Sequence, residues 1–568
     1  MNDVEDNPSL EDPFAYLTVD EFTSENFKIE VRNVPSYFGF ASFRKFLRRK
    51  MSLPAVKVKA GPSKKVIYVT FPSDEIRSLA LEKLNGLSFK GNVLKAENAP
   101  ALPDPCVKSR QQISQLADAD KPDEDSIPLE ERVEQATSPW ASVDYEEQLR
   151  RKQEDVNAFL ENLKSKGLPC DVPFTVDAIR GSPQIDGYRN KAEFTIGFRV
   201  GEPSRRCVGF RVKSYKDGEV GVGPVYHLRL LSPEMKEAVK VFEEGFIECH
   251  ELAPYNPVAR SGCWKQLTLR QNRQGQLMAI VFIQPLPKES PIDEEQLKQQ
   301  VKDFFSTSLL SVVSLFFCVQ GPKKKDSPGP EFELLSGATH LQEDIGHVSV
   351  SVSPEDFLQC NTSACEVLYQ TIEEAADLHQ ESSTLLDICC GIGTIGLFLA
   401  KRCASVLGVE SVRRAVEDAR LSAQRNEISN ASFFAGKAED LLHSLHYKIS
   451  TEEAVAVLDP PRNGLHAKFI KGIRLMRKVK RLVYVACDMR QASPNLRDLA
   501  SQSASAKGQH FILRHVVPVD LFPHTKGVEL VLVFERPSSV SPVAPRRELK
   551  HSIKTEESDA PAEKRPHL

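Results

Sequence analysis

Thr384-Leu385-Leu386-Asp387-Ile388-Cys389-Cys390-Gly391-Ile392-Gly393-Thr394 is followed at once by the apolar run IGLFLAKR, residues 395–402. A short apolar run closed by glycine has the pattern of a buried strand, and the Leu/Phe/Ala-rich continuation that of a helix. The glycines between them let the chain turn tightly and admit a ligand against bare backbone at a helix amino terminus. A second strand, SVLGVE, ends in Glu410, nineteen positions beyond Gly391, where a carboxylate can hold two ribose hydroxyls. Two further apolar runs, AVAVLDPPRNG and RLVYVACD, end at Asp459 and Cys487. Strand and helix alternate from about His347 to Arg536, which predicts a doubly wound α/β domain. In such a sheet the carboxyl ends of the parallel strands line one crevice, so Cys389, Glu410, Asp459 and Cys487 are expected to converge.

The D-x-x-x-G-x-G loop with its acidic strand end looks like a Rossmann-like S-adenosylmethionine site. Cys487 leaves a hydrophobic strand directly into the polar stretch DMRQASPN, unlike Cys360, Cys389, Cys390 and Cys403, which read as small buried hydrophobes. A thiolate is the competent nucleophile, so the site must favour ionisation, and Arg490 is a candidate cation. Glu529 lies in FPHTKGVEL at the start of the strand LVLVFER, where a carboxylate is either a proton acceptor or a solvated strand end.

The rest of the 568 residues divides by composition. Residues 1–26 are acidic and expected to be disordered, as are a linker at 101–140, rich in Pro, Asp, Glu, Ser and Gln, and a tail at 537–568. Residues 1–27 and 101–147 contribute −8 each to a net charge of −4, so the remaining chain is basic and suits a polyanionic partner. Twelve cysteines without a CxxC indicate neither a disulfide framework nor a metal site. The longest apolar run, Leu309 to Val319, falls short of the ~20 residues of a membrane span and reads as a buried strand. No secretory or organellar leader is recognisable, which gives cytosol as the expected compartment, with nuclear access through Arg546, Arg547 and Lys550. A monomer is expected.

Residues 27–100 read strand, helix, strand, strand, helix, strand, with Ser73 or Asp74 opening the second helix. That α+β order resembles an RNA recognition motif. Glu30 and Val66 stand where that motif carries stacking aromatics, while Tyr68 is kept. Each base stack is worth ~1–3 kcal/mol, so two lost platforms weaken this face as a reader. Docking of protein, or support of RNA through Lys57, Lys59, Lys64 and Lys65, stays open beside it. After a polar helix at Tyr145 to Gly167, residues up to 346 form a strand-rich central region. Nine Lys/Arg face five acidic residues between Asp186 and Arg229, with Tyr188, Tyr215 and Tyr226 interleaved, a mixture suited to phosphate contact and stacking.

DICCGIGTIG, LDPPRNGLH, VYVACD and FPHTKGVEL in this order, with DFLQCN upstream and GYRNKAEF further back, resemble the RNA uracil-5-methyltransferases. The resemblance implies that Cys487 adds to carbon 6 of a uridine and that Glu529 later removes the carbon 5 proton. It also implies S-adenosyl-L-methionine as cofactor, with Gln359, Cys389, Thr394, Glu410 and Asp459 at family cofactor positions beside Gly391 and Gly393. The T-loop uridine of tRNA is the implied substrate, flipped into the crevice; the residues alone do not separate tRNA from ribosomal RNA, nor methylation from a tRNA-folding chaperone. The family commonly has Ser before the nucleophile and Asn-Pro after it, whereas this chain has Ala486 and Asp488-Met489. A carboxylate beside the thiol is expected to disfavour its ionised form.

Overall fold

The structure, a computed structural model, describes residues 27–99, 127–321 and 330–537, apart from short breaks at 36–39, 54, 56, 61–65, 72, 170–171, 213–220, 257–260, 288 and 504–506. The expected disordered segments 1–26 and, apart from Pro537, 537–568, most of the linker, Tyr215, Lys64 and Lys65 lie outside the described residues.

The amino-terminal unit is a four-stranded sheet in the order Lys57–Ala60, Val66–Thr70, Lys28–Arg32, Lys95–Asn98, with helices Phe40–Arg49 and Asp74–Leu84. Ser73 caps the second helix, accepting from the Ile76 amide at 3.5 Å. Glu30 pairs across the sheet with Tyr68, whose ring is covered by the Lys28 ammonium at 4.8 Å. Ile29, Val31, Phe43, Leu47, Ile67, Val69 and Phe71 fill the core on the other side.

The central region is a seven-stranded sheet. Strands Lys191–Arg199, Glu202–Arg211, Trp264–Gln271, Leu277–Ile283 and Val312–Val319 make up most of it, as the strand-rich reading expects. Leu309, the first residue of the longest run, is fully exposed, and its strand starts only at Val312. Helices Pro233–Phe242 and Glu294–Thr307 close the apolar face. Tyr188 is buried and its hydroxyl donates to the Pro523 carbonyl at 2.9 Å, so its ring is core rather than a stacking platform. Tyr226 is half-buried against the same core.

The third sheet has eight strands, in the order Ala431–Ala435, Ser405–Glu410, Ser383–Ile388, Glu453–Leu458, Val479–Ala486, Glu529–Glu535, Ile512–Val519, Thr175–Val176. The first five are parallel, and Glu529–Glu535 is antiparallel to both neighbours. Alternate residues of each strand feed two apolar layers: Leu385, Val455, Val483 and Val531 on one face, Leu386, Ala456, Leu482 and Leu530 on the other. Both faces are covered, as parallel strands require.

Two expected boundaries move. The linker ends before residue 129, because Leu129–Thr137 is a helix whose Val133 is buried in the central core, and the Trp140 amide donates to the His524 carbonyl at 3.0 Å. The methyltransferase-like body does not begin at 347. The hairpin Leu341–Ile345/Val348–Val352 turns at Gly346 (φ +57°) and packs on its sheet, and the helix Tyr145–Ser165 and strand Thr175–Val176 belong to it as well.

Candidate active site

Three adjacent parallel strands end together. Cys389, Asp459 and Cys487 are each the first residue past such an end, and Glu410 is the last residue of the next strand. Cys389 takes a left-handed backbone (φ +63°), which starts the turn into Gly391 (φ +53°) and Gly393 (φ +78°). A Cβ at Gly391 would meet no protein atom within 4 Å, whereas one at Gly393 would lie 2.7 Å from the Phe433 ring. Gly391 thus faces open space, and Gly393 permits close packing.

The Gly391 amide donates to Glu410 Oε2 at 3.2 Å, and Glu410 Oε1 accepts from Ser411 Oγ at 2.8 Å and the Val412 amide at 2.9 Å. These bonds fix the carboxylate and leave it about one of its four acceptor positions. Beneath the loop, fully buried Asp387 accepts from the Gly396 amide at 2.8 Å through Oδ2 while Oδ1 has no partner. Burial pushes that carboxyl up to about 7. Gly391, Gly393 and Gly396 also have the G-x-G-x-x-G spacing of dinucleotide sites, so spacing alone does not choose the nucleotide. The Thr394 hydroxyl turns inward to Tyr369 OH at 2.6 Å, leaving the Thr394 backbone at the helix start as its contribution to the crevice.

Gln359 sits in the buried loop before the helix Thr362–Ala376. Asn190 of the central region holds it, donating from Nδ2 to the Gln359 carbonyl at 2.8 Å and from its amide to the Cys360 carbonyl at 2.8 Å. Beside it opens a cavity of about 380 Å³ lined by Arg189, Lys191, Phe210, Phe357 and Cys360 among others.

The Val479 and Glu529 strands pair antiparallel through Ala486 opposite Leu530. One step further along this register, Cys487 stands opposite Glu529. Cys487 is exposed; partial burial, then the charges of Glu529 and Asp459, push its thiol up to about 11, and Arg462 opposes them. Glu529 is 2 % exposed, its Oε2 has no hydrogen-bond partner, and burial followed by Asp459 holds it well above the usual carboxyl range. It is no solvated strand end. Burial also raises Asp459 to about 7 and Cys389 to about 12.

Asp488, next to the thiol in sequence, caps the helix Met489–Ala500, accepting from the Arg490 and Gln491 amides at 3.0 and 3.1 Å, and the carboxylates with the largest effect on Cys487 are Glu529 and Asp459. Arg490 is exposed, and the cation with the largest effect on the thiol is Arg462, in the DPPRNG turn. That turn is clamped by Asn495, whose Oδ1 accepts from the Leu465 amide at 2.6 Å and whose Nδ2 donates to the Leu465 carbonyl at 3.0 Å.

A doubly wound sheet with a glycine cradle, an acidic strand end, and a thiol and a carboxyl at neighbouring strand ends has the parts of a nucleotide-cofactor enzyme with covalent chemistry. A family model for tRNA (uracil-5-)-methyltransferase matches residues 347–536. The chain is 37% identical over 544 residues to human tRNA (uracil-5-)-methyltransferase homolog A, covering 92% of this chain and 85% of that protein. Human homolog B is 33% identical over 475 residues, with 79% and 92% covered. In fold, the chain is similar to a Pyrococcus abyssi tRNA (uracil-54, C5)-methyltransferase solved with S-adenosyl-L-homocysteine, with a TM-score of 0.52 at 22% identity and 69% and 82% covered. The chain belongs to the tRNA (uracil-5-)-methyltransferase family. Among the described residues, no helix is long and apolar enough to cross a membrane, and no three or more His, Cys, Asp or Glu side chains group so as to hold a metal ion.

Proposed function

We propose that this protein methylates carbon 5 of a uridine in the T-loop of tRNA, through a transient bond between Cys487 and carbon 6. The observation that carries the proposal is the register of the Val479 and Glu529 strands, which sets a thiol and a buried carboxyl side by side at the mouth of a cofactor crevice.

The crevice fits S-adenosylmethionine: open space at Gly391, a fixed carboxylate at Glu410, and a buried unpartnered acceptor at Asp387 below the loop. Gln359, Cys389, Gly391, Gly393, Thr394, Glu410 and Asp459 would hold it. When bound, this cofactor supplies an electrophilic methyl group on a sulfonium.

Neutral uracil carbon 5 is a poor nucleophile. Addition of the Cys487 sulfur to carbon 6 pushes the double-bond electrons onto the carbon 4 oxygen as an enolate, and carbon 5 can then take the methyl group. Glu529 removes the carbon 5 proton, the carbon 5–carbon 6 double bond re-forms, and the sulfur leaves as thiolate. A carboxylate held in an apolar setting is more basic than a free one and so better matched to a carbon acid. Arg462 favours the thiolate at both ends of the cycle.

The strand order of the amino-terminal sheet and its two helices support its reading as an RNA recognition motif-like domain. With Glu30 tied to Arg32 at 2.6 Å and Tyr68 under Lys28, its face suits backbone support better than base stacking.

Incubation of the protein with methyl-labelled cofactor and either tRNA or ribosomal RNA, followed by nucleoside mass spectrometry, tests the proposal. Labelled 5-methyluridine from the tRNA T-arm is expected; product in neither RNA overturns it.

A further inference from the structure

Val519 pairs with Glu529, so residues 520–528 form a nine-residue hairpin loop whose last step delivers the carboxyl. Main-chain and side-chain groups of that loop are held from the helix Tyr145–Ser165 and its lead-in, some 370 positions earlier in the chain. Gln148 Oε1 accepts from the His524 amide at 2.7 Å, and its Nε2 faces His524 Nδ1 at 3.2 Å while donating to the Trp140 and Val143 carbonyls at 3.0 and 2.8 Å. The two hydrogens of that Nε2 go to those two carbonyls, and the far ring nitrogen of His524, Nε2, lies 2.9 Å from Asp186 Oδ1. With the Trp140 amide on its carbonyl, both main-chain polar groups of His524 are engaged.

His524 is 1 % exposed and left-handed (φ +67°), a backbone a non-glycine residue keeps only when its surroundings impose it. One turn along, Lys152 reaches Asp520 Oδ1 at 2.6 Å and the Phe522 carbonyl at 3.0 Å, both charges fully buried, and the Tyr145 hydroxyl donates to Asp520 Oδ2 at 3.0 Å. Cys487 is anchored elsewhere, by the Asp488 cap. The Met489 helix meets the braced helix near its far end, where Arg497 donates to the Lys166 carbonyl at 3.3 Å.

We propose that Gln148 and Tyr145 are positioning residues for Glu529, so that the helix carrying them governs proton removal from carbon 5 and leaves addition of the Cys487 thiol untouched. The inference rests on the covalent reading above. A displacement of the base by about 1 Å costs on the order of 100-fold in its own step, and the thiol, on the neighbouring strand, keeps its place.

The two steps separate with a T-arm hairpin RNA carrying 5-fluorouridine at the target position. There carbon 5 bears fluorine in place of the proton, so thiol addition and methyl transfer proceed and the adduct persists. In full-length Gln148→Ala, and more mildly in Tyr145→Phe, the rate of fluoro-adduct formation is expected to stay within about two-fold of the parent. Turnover of ordinary RNA is expected to fall by about ten-fold or more for Gln148→Ala, with denaturation-resistant adduct accumulating. Parallel loss of both rates in both variants would reduce the helix to a structural support and overturn the inference, as would unchanged turnover in both. A parent protein that forms no adduct with either RNA would instead sink the covalent reading itself.

Discussion

Cys487 and Glu529 face each other one register step beyond the Ala486–Leu530 pair, on strands that run in opposite directions. A strand pair places such residues about 5 Å apart at the backbone, closer than two loops would hold them unaided. The thiol is on the open side and the carboxyl on the closed side. Removing each should therefore stop the reaction at a different point. Cys487→Ala is expected to form no protein–RNA adduct. Glu529→Gln is expected to form one and release it slowly, visible as a shifted band on a denaturing gel; methylation like the parent in both would refute the pairing.

Alkylation of Cys487 by iodoacetamide, followed against pH, reads the charges around it. Arg462→Met should move the titration to higher pH, since Arg462 opposes the upward push of burial, Glu529 and Asp459. Asp488→Ala should cost about 1 kcal/mol of stability through the lost helix cap, read by chemical denaturation.

Asp459 and Asp387 titrate near 7 in the folded protein, against about 3.9 for a free aspartate. Folding thus raises both values. The stability linked to them is full below about pH 4 and is lost as pH climbs through about 7. The melting temperature of the ligand-free protein should fall over that window, and Asp459→Asn should flatten the slope; an unchanged slope would refute the assignment.

Gly391→Ala puts a methyl group into space that no protein atom occupies, at the cost of about 1–2 kcal/mol for a left-handed alanine. The expected result is a folded protein whose affinity for S-adenosylhomocysteine, measured by calorimetry, is at least about ten-fold lower. Gly393→Ala, pressed against Phe433, should destabilise the fold more.

Lys152→Met leaves Asp520 charged, buried and short of one partner. Breaking such a pair costs about 3–5 kcal/mol, to be read by chemical denaturation of the full chain. A loss below about 1 kcal/mol would show that water reaches this pair.

The sheet and its glycine loop were legible because buried parallel strands read as unbroken apolar runs and because polar residues mark where they end. Cys487, Glu410 and Asp459 fall at those ends. The cap at Asp488 carried an ordinary signal as well, an aspartate just before a helix, and was masked by its nearness to the thiol in sequence. Arg462 was not legible. Its effect on the thiol depends on how two strand ends converge, whereas Arg490 had only proximity along the chain to recommend it. The helix Tyr145–Ser165 read as a polar helix correctly, but nothing local tells Gln148 and Lys152 that their partners lie beyond residue 519.

The chain enters the catalytic sheet with the helix at 145–165 and the strand at 175–176, departs to build the seven-stranded body, and comes back for the other seven strands. A fragment starting at residue 347 would strip Val156, Leu160 and Leu163 from one apolar face and the outer strand from the edge. Such a piece would be sticky and slack at its base. During synthesis, the earliest part of this body has to wait for its partners until residues 512–524 have been made.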